Sequence, residues 1–481
     1  MSIPPTGFFF GFLLCFALGG HALATTNLHA DSLDSQRAES IRLLSELIRI
    51  RSTSGHEGMV GRYLAGYCKQ AGLQVSIFSE ADSAYNFAAS LYPLGSGRPN
   101  IVLLNHLDVV AAADSVAWAV PPFSGLVTDS CIWGRGALDM KGMAVMQLMA
   151  LVAQAAQVEG KPNALPYNVT MLCVSGEETG GTTGAAMITK QYLELLKPAV
   201  VYGEGGSGLT GAVPGKPSLT MYTVSVAEKS NMWLQLQLKF RGHGHGAAAP
   251  INYPNRDMIK ALNKLADVES NIKFIKTTKR MFRQFGKIIG GLQGFVLSHA
   301  DWWIFRPALR NLLRTEPDLK SLLTNTATLT HLSNPPGPVN QIAQEATALL
   351  DCRLLPGTNR KKFLRDVKYG LFEPRFKITI LNENPESEES SVTAAGYLAI
   401  KEACETTDQG AAVIPILFPG STDNNYFRAA GINVYGLTPI RTSRALLETI
   451  HGADERIPLP ELARGIHFYK ALIANLMKRK L

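Results

Sequence analysis

Cysteine is scarce, with six in 481 residues and no Cys-x-x-Cys pair. That excludes a thiolate zinc site and a dense disulfide framework. Dense runs of basic charge are missing as well. The 47 Lys and Arg against 39 Asp and Glu leave a net charge of +8, which permits contact with anionic surfaces but gives no indication of nucleic acid. Internal repeats and low-complexity segments are absent. At 46% hydrophobic and 18% charged residues, the composition is globular and excludes a coiled coil, a collagen-like rod and a mostly disordered chain. The length allows two to four domains at about 100–200 residues each.

The apolar run at residues 8–18 falls short of the about 20 residues that a membrane-crossing helix needs. Ala22-Leu23-Ala24 after it is a small-x-small cleavage pattern. Residues 1–24 therefore read as a signal peptide, although no Lys or Arg precedes the run. The expectation is export, to the medium, the periplasm or the secretory lumen. Cys15 would leave with that segment, and Leu14 stands where a lipoprotein needs a small residue. Five scattered cysteines remain, an odd number, so at least one thiol is free or pairs with another chain. The glycosylation sequon Asn168-Val169-Thr170 falls in an expected strand.

Hydrophobic periodicity predicts a helix over 36–73, a strand at 101–104, an apolar helix over 142–158, and strands at 169–174 and 199–202. Apolar strands separated by helices indicate an α/β fold, a mostly parallel sheet with flanking helices. Near Ser225 the pattern changes. Trp233, Leu234, Leu236, Leu238 and Phe240 alternate, as in a half-exposed antiparallel strand. A helix at 255–268, strands at 324–332 and 345–354, and a helix at 359–370 follow. After Asn384 the α/β pattern returns, with a helix at 392–405, a strand at 432–437 and a closing helix at 459–478. The expected organisation is a catalytic domain in two parts, 33–227 and 384–481, interrupted by an α+β lid domain at 228–383. Within the lid, residues 273–314 carry nine basic residues against one acid, Asp301, with Phe and Trp interleaved. Such a stretch suits peripheral contact with an anionic membrane or another lipid assembly. The plainer alternative is an amphipathic lid helix with a solvated basic face.

Chemistry concentrates where expected strands end. His106 and Asp108 lie two apart on one strand face, so His106 is a candidate zinc ligand and Asp108 the partner of its other ring nitrogen. Alone, His-x-Asp is more often a structural hydrogen bond. Glycines bracket Asp139 in Gly134-Arg135-Gly136-Ala137-Leu138-Asp139, just before an apolar helix, where it would otherwise be only an N-cap. Glu177 and Glu178 are adjacent at a strand end, and like charges so placed call for a cation. One can bind metal while the other serves as general base. Glu204 ends the next strand, and His451 lies far downstream. Five N and O ligands exceed the usual three plus water of one catalytic zinc, whereas two metals sharing a carboxylate would use them all. Two rival readings compete. Residues 203–208 match G-x-G-x-x-G, the fingerprint of a dinucleotide-binding oxidoreductase, but Pro214 and Pro217 spoil the helix that should follow. A non-catalytic binding protein on the same fold is the other; the intact carboxylate cluster argues against it.

Taken in order, His106-Leu107-Asp108-Val109-Val110, Trp118 with Pro121-Pro122-Phe123-Ser124-Gly125, Gly134 to Gly142, Gly176-Glu177-Glu178, Glu204-Gly205-Gly206 and His451-Gly452 resemble a known family. It is the two-zinc metallopeptidases that include aminoacylase, carboxypeptidase S and bacterial glutamate carboxypeptidase. The basic-aromatic segment looks most like the carboxypeptidase S and N-acyl-amino-acid hydrolase branch. The resemblance implies two zinc ions, with cobalt or manganese as substitutes. Asp139 would bridge them, His106 and Glu204 completing one site, Glu178 and His451 the other. Glu177 would take a proton from the attacking water. The Asp139–Met140 peptide would be cis. In the lid, His245, with His243 its rival, would donate to the oxyanion, often across a homodimer interface. Asn340 and Arg353 would hold the substrate, a small peptide or an N-acyl amino acid with a free carboxylate. The chain departs from the family in Asn340-Gln341-Ile342-Ala343, where Asn-Val-Ile-Pro is usual, and in Val110-Ala111, where a proline is common.

Overall fold

Asn100–His106 and Asn168–Val174 have no exposed position, and the first half of Pro198–Thr210 is nearly as enclosed. These strands run parallel at the centre of an eight-stranded sheet. Strands covered on both faces read as unbroken apolar runs, which is why they were legible. Across the sheet the order is Gln74–Ala81, Ala84–Ser90, Asn168–Val174, Asn100–His106, Pro198–Thr210, Val434–Thr442, Thr220–Glu228, Ala412–Phe418. Antiparallel pairing is confined to the first two strands, to the junction of Ala84–Ser90 with Asn168–Val174, and to contacts of Thr220–Glu228. This is the mostly parallel α/β sheet that the periodicity predicts. The computed structural model describes residues 33–112, 117–161, 164–213, 215–240, 242, 244–267 and 271–481. The signal-peptide reading of 1–24 and the rival His243 lie outside the described residues. No helix among the described residues is long and apolar enough to cross a membrane.

Helix Lys141–Val158 packs one flank of the sheet together with Leu459–Met477 and Leu33–Arg49. The helix expected over 36–73 is two, Leu33–Arg49 and Gly58–Gln70. Between them the chain bonds elsewhere: Ser52 Oγ donates to the Leu107 carbonyl at 2.8 Å and Ser54 Oγ to Asp108 Oδ2 at 2.8 Å. Short hydroxyl side chains that find backbone and carboxylate partners compete with helix.

A second, four-stranded sheet is wholly antiparallel, ordered Thr326–Ser333, Glu345–Leu354, Ser230–Lys239, Lys377–Glu383. Its alternating positions Met232, Leu234, Leu236 and Leu238 are buried with Ala346, Ala348 and Leu350 beneath helices Pro254–Asp267 and Arg360–Leu371. The helices Lys276–Ile289, Arg306–Thr315 and Pro317–Leu323 pack elsewhere. Met281, Phe282, Leu309, Leu313 and Leu323 share a cluster with Val213, Met221 and Ile414, at the edge of the large sheet. Lys229 joins the two sheets. It is fully buried, and its Nζ donates to the carbonyls of Ser321 at 3.1 Å and Thr324 at 3.0 Å.

Candidate active site

Strand Asn100–His106 delivers His106 at its carboxyl end, buried, with Nε2 3.0 Å from Asp139 Oδ1 and 3.8 Å from Glu204 Oε1. The other Asp139 oxygen lies 3.0 Å from His451 Nε2, which is also 3.3 Å from Glu178 Oε2. One carboxylate thus stands between two imidazoles, each backed by a second carboxylate. Ligand atoms of His106, Asp139 and Glu204 lie within 4.8 Å of one another, and so do those of Asp139, Glu178 and His451. Asp139 belongs to both groups. His106, Glu177 and Glu178 form a third such group. The Asp139–Met140 peptide is cis.

Buried carboxylates hold these loops in place. Glu455 accepts from the backbone N–H groups of Gly136, Leu138 and Asp139 at 3.0, 2.8 and 3.1 Å, and from Arg135 Nη1 at 2.6 Å. It fixes the glycine-bracketed turn that presents Asp139. Asp108 acts differently from the sequence expectation. Its backbone carbonyl, not its carboxylate, takes the His106 Nδ1 bond at 2.9 Å, with Oδ1 at 3.6 Å. The carboxylate accepts from the backbone N–H groups of Glu177 and Glu178, both at 3.1 Å. The strand turns at this point, so the carbonyl reaches the ring before the side chain does. Orientation of the metal-facing nitrogen is the same either way.

Glu204 lies within strand Pro198–Thr210 rather than at its end. Its carbonyl accepts from Asn424 Nδ2 at 2.7 Å, and that amide also donates to Glu228 Oε1 at 3.2 Å. A Cβ on Gly203 would meet Asn424 Oδ1 at 2.2 Å, so glycine there serves close packing. The run 203–208 continues as strand into an antiparallel partner, Thr220–Glu228, with no helix after it. The dinucleotide fingerprint, which requires a helix N-terminus, fails on that ground.

The charge balance of the site is lopsided. Burial, then Glu204, pushes the Glu177 carboxyl well up; burial, then Asp139, does the same to Glu204. Burial raises Asp423 to about 8. Hydrogen bonds that His451 donates to the Asp139 and Glu178 carboxylates raise it to about 10. Burial disfavours a charged His106, yet Asp139 holds it well above its usual value. Buried Glu178 Oε1 and Asp423 Oδ2 have no hydrogen-bond partner among the described residues. Crowded carboxylates with orphaned oxygens and two imidazole nitrogens form a hard-to-borderline N/O donor set, which fits divalent cations.

A cavity of about 810 Å³ opens onto this cluster. Asp139, Glu177, Glu178, Glu204 and His451 line it, and so do the apolar side chains of Met281, Phe285, Leu322, Ile416 and Phe418. Arg353 also lines it, but its guanidinium is forked onto Asp351, Nε to Oδ1 at 2.9 Å and Nη2 to Oδ2 at 2.9 Å. His245 and Asn340 meet each other, Nε2 to Nδ2 at 3.1 Å, are exposed, and do not line the cavity. Sequence reasoning missed Glu455, Asp423 and Asn424. Glu455 lies four residues after His451, but a carboxylate whose partners lie some 320 residues away leaves no local spacing to read.

Residues 102–475 match the family described as Peptidase family M20/M25/M40. The chain is 27% identical over 414 residues to a probable carboxypeptidase S-like 2 of Dictyostelium discoideum, covering 84% of this chain and 76% of that protein. It is 27% identical over 377 residues to the N-fatty-acyl-amino acid synthase/hydrolase of Xenopus tropicalis, covering 78% and 72%. Among solved structures, an M20 family metallo-carboxypeptidase of Sulfolobus solfataricus superposes with a TM-score of 0.69 at 19% identity, covering 92% of this chain and 100% of that one. That likeness concerns the fold.

Proposed function

The chain belongs to peptidase family M20/M25/M40, and from that premise we propose that it hydrolyses the amide bond of N-acyl amino acids bearing a long apolar acyl chain. The observation that carries this reading is the cavity, lined both by the carboxylate–imidazole cluster and by the apolar side chains of Met281, Phe285, Leu322, Ile416 and Phe418. A free peptide would leave that apolar lining in contact with water or backbone, whereas an aliphatic chain buries it at about 25 cal/mol per Å². Names borne by relatives, a carboxypeptidase S-like protein and an N-fatty-acyl-amino acid hydrolase, agree with an amide next to a free carboxylate.

In this reading His106, Asp139 and Glu204 hold one cation, and Asp139, Glu178 and His451 the other; zinc is the expected ion. When bound, the pair lowers the pKa of a water and polarises the substrate carbonyl. Glu177, not among the five ligands, takes the proton of the attacking water and delivers it to the leaving nitrogen. The products are a fatty acid and an amino acid, one water being consumed. Arg353 exchanges Asp351 for the substrate carboxylate, since a fork accepts either partner with the same geometry. His245 and Asn340 act from the lid, in our reading on the site of a second copy. The amino-acid domain division at 227 and 383 is part of this proposal.

The test is a substrate comparison on chelated protein reloaded with zinc or cobalt. Long-chain N-acyl amino acids should give kcat/KM at least about tenfold above N-acetyl analogues and dipeptides. Phe285→Asp should erase that preference while leaving N-acetyl hydrolysis within about threefold. Dipeptides outperforming every N-acyl substrate would defeat the reading.

A further inference from the structure

Helix Lys276–Ile289 has two exposed neighbours that catalysis does not use. On its outer side Lys276, Lys279, Arg280, Arg283 and Lys287 line a cleft of about 510 Å³ together with Phe274. Among the described residues two carboxylates pair with these cations, Glu389 with Lys276 and Arg280, and Asp301 with Lys279 and Arg283. Next in the chain comes helix Gly291–Ser298, then a turn carrying Trp302, Trp303 and Ile304. Leu292 and Trp303 are each 79% exposed, and Phe295, Trp302 and Ile304 each about half. Phe295, His299 and Trp302 form a ring cluster at 4.3 to 6.1 Å. Asp301, 3.3 Å from Lys279 Nζ, ties that aromatic turn to the basic cleft.

From this juxtaposition we infer that residues 276–305 are a docking surface for an anionic lipid bilayer. Large exposed apolar side chains in one contiguous stretch exceed what isolated surface hydrophobics explain. Indole rings favour the headgroup level, and neighbouring cations draw toward anionic lipid. A second copy of the chain is the weaker occupant. A two-fold interface sets one patch against itself, and here that would bring the basic clefts together. The same helix also supplies Met281 and Phe285 to the lining of the cavity. The inference does not depend on the proposed reaction, because docking is read without substrate.

The experiment is co-sedimentation of the full chain with phosphatidylcholine vesicles, with and without about 30% phosphatidylserine. Binding should require the anionic lipid and weaken as salt rises. Lys287→Gln and Arg283→Gln should each lower partitioning about fivefold. Trp302→Asp with Trp303→Asp should lower it about tenfold or more, with hydrolysis of a soluble substrate unchanged. Two results would overturn the inference. One is vesicle binding absent, or equal in wild type and tryptophan variant, which would place any affinity in another segment such as residues 8–18. The other is a concentration-dependent dimer that the tryptophan variant dissolves while neither protein binds vesicles.

Discussion

The two sheets hold their functional side chains by opposite means. At the carboxyl end of the large sheet, residues facing the cluster are fixed by buried groups behind them. Glu455 grips the Asp139 turn, Asp108 grips the Glu177–Glu178 turn, and Asn424 grips the Glu204 carbonyl. On the small sheet and its loops, the residues we propose to meet substrate are held by one another. Arg353 lies on Asp351, and His245 meets Asn340 in the open. A cage built behind its ligands is organised before anything binds, as transition-state stabilisation requires. In the proposed mechanism these residues would have to exchange such partners for substrate or for a second chain.

The sharpest way to break this contrast is at the cage. Glu177→Gln should lower kcat by about 10²–10⁴ while metal content stays intact, because in the proposed mechanism the residue moves protons and is not among the five ligands. Near-normal turnover would remove it from the chemistry. Glu455→Ala leaves Arg135 buried without its carboxylate and three amides without an acceptor, and should destabilise the fold by about 3–5 kcal/mol, read as a fall in Tm. His245→Ala, by contrast, should leave stability within about 0.5 kcal/mol, since its surroundings are exposed. Equal losses in both variants would erase the distinction between the regions. Arg353→Lys keeps the charge but not the fork, and should raise KM about tenfold with little change in kcat. A drop confined to kcat would contradict its role in ground-state binding.

The joint between the sheets offers the smallest effect. Burial, then the Arg353 charge, lowers Lys229 from its ordinary 10.5 to about 7. Between those values the unfolded chain keeps a proton that the folded chain has lost, so this group makes stability rise with pH from about 7 to 10.5. Lys229→Met should remove that component, measured as a flatter dependence of ΔG on pH between about 7 and 9 than in the wild type. An unchanged slope would show that Lys229 stays charged through its carbonyl contacts.

How far the sequence could be read follows the same divide. His106, Asp139 and Glu178 stand beside strand ends and glycine turns, where local pattern and chemistry coincide. Their supports were invisible, because Glu455 meets residues some 320 positions away and Asn424 meets Glu204 220 positions away. The break between Arg49 and Gly58 escaped the periodicity for a related reason. Ser52 and Ser54 leave the helix for partners on the strand at Leu107 and Asp108. The edge strand Ala412–Phe418 passed unnoticed because only part of it is buried, and its cover comes from the distant helix Lys276–Ile289. The glycine match at 203–208 shows the converse, a local pattern that formally fits a phosphate turn while Gly203 makes room for Asn424.

Elemental analysis of the purified full chain and of its Asp139→Ala variant bears most directly on the central claim. Two divalent ions per wild-type chain, with both lost or sharply weakened when Asp139 is truncated, is the predicted result. A wild-type enzyme that turns over substrate without bound metal, or a variant that still retains both ions, would contradict it.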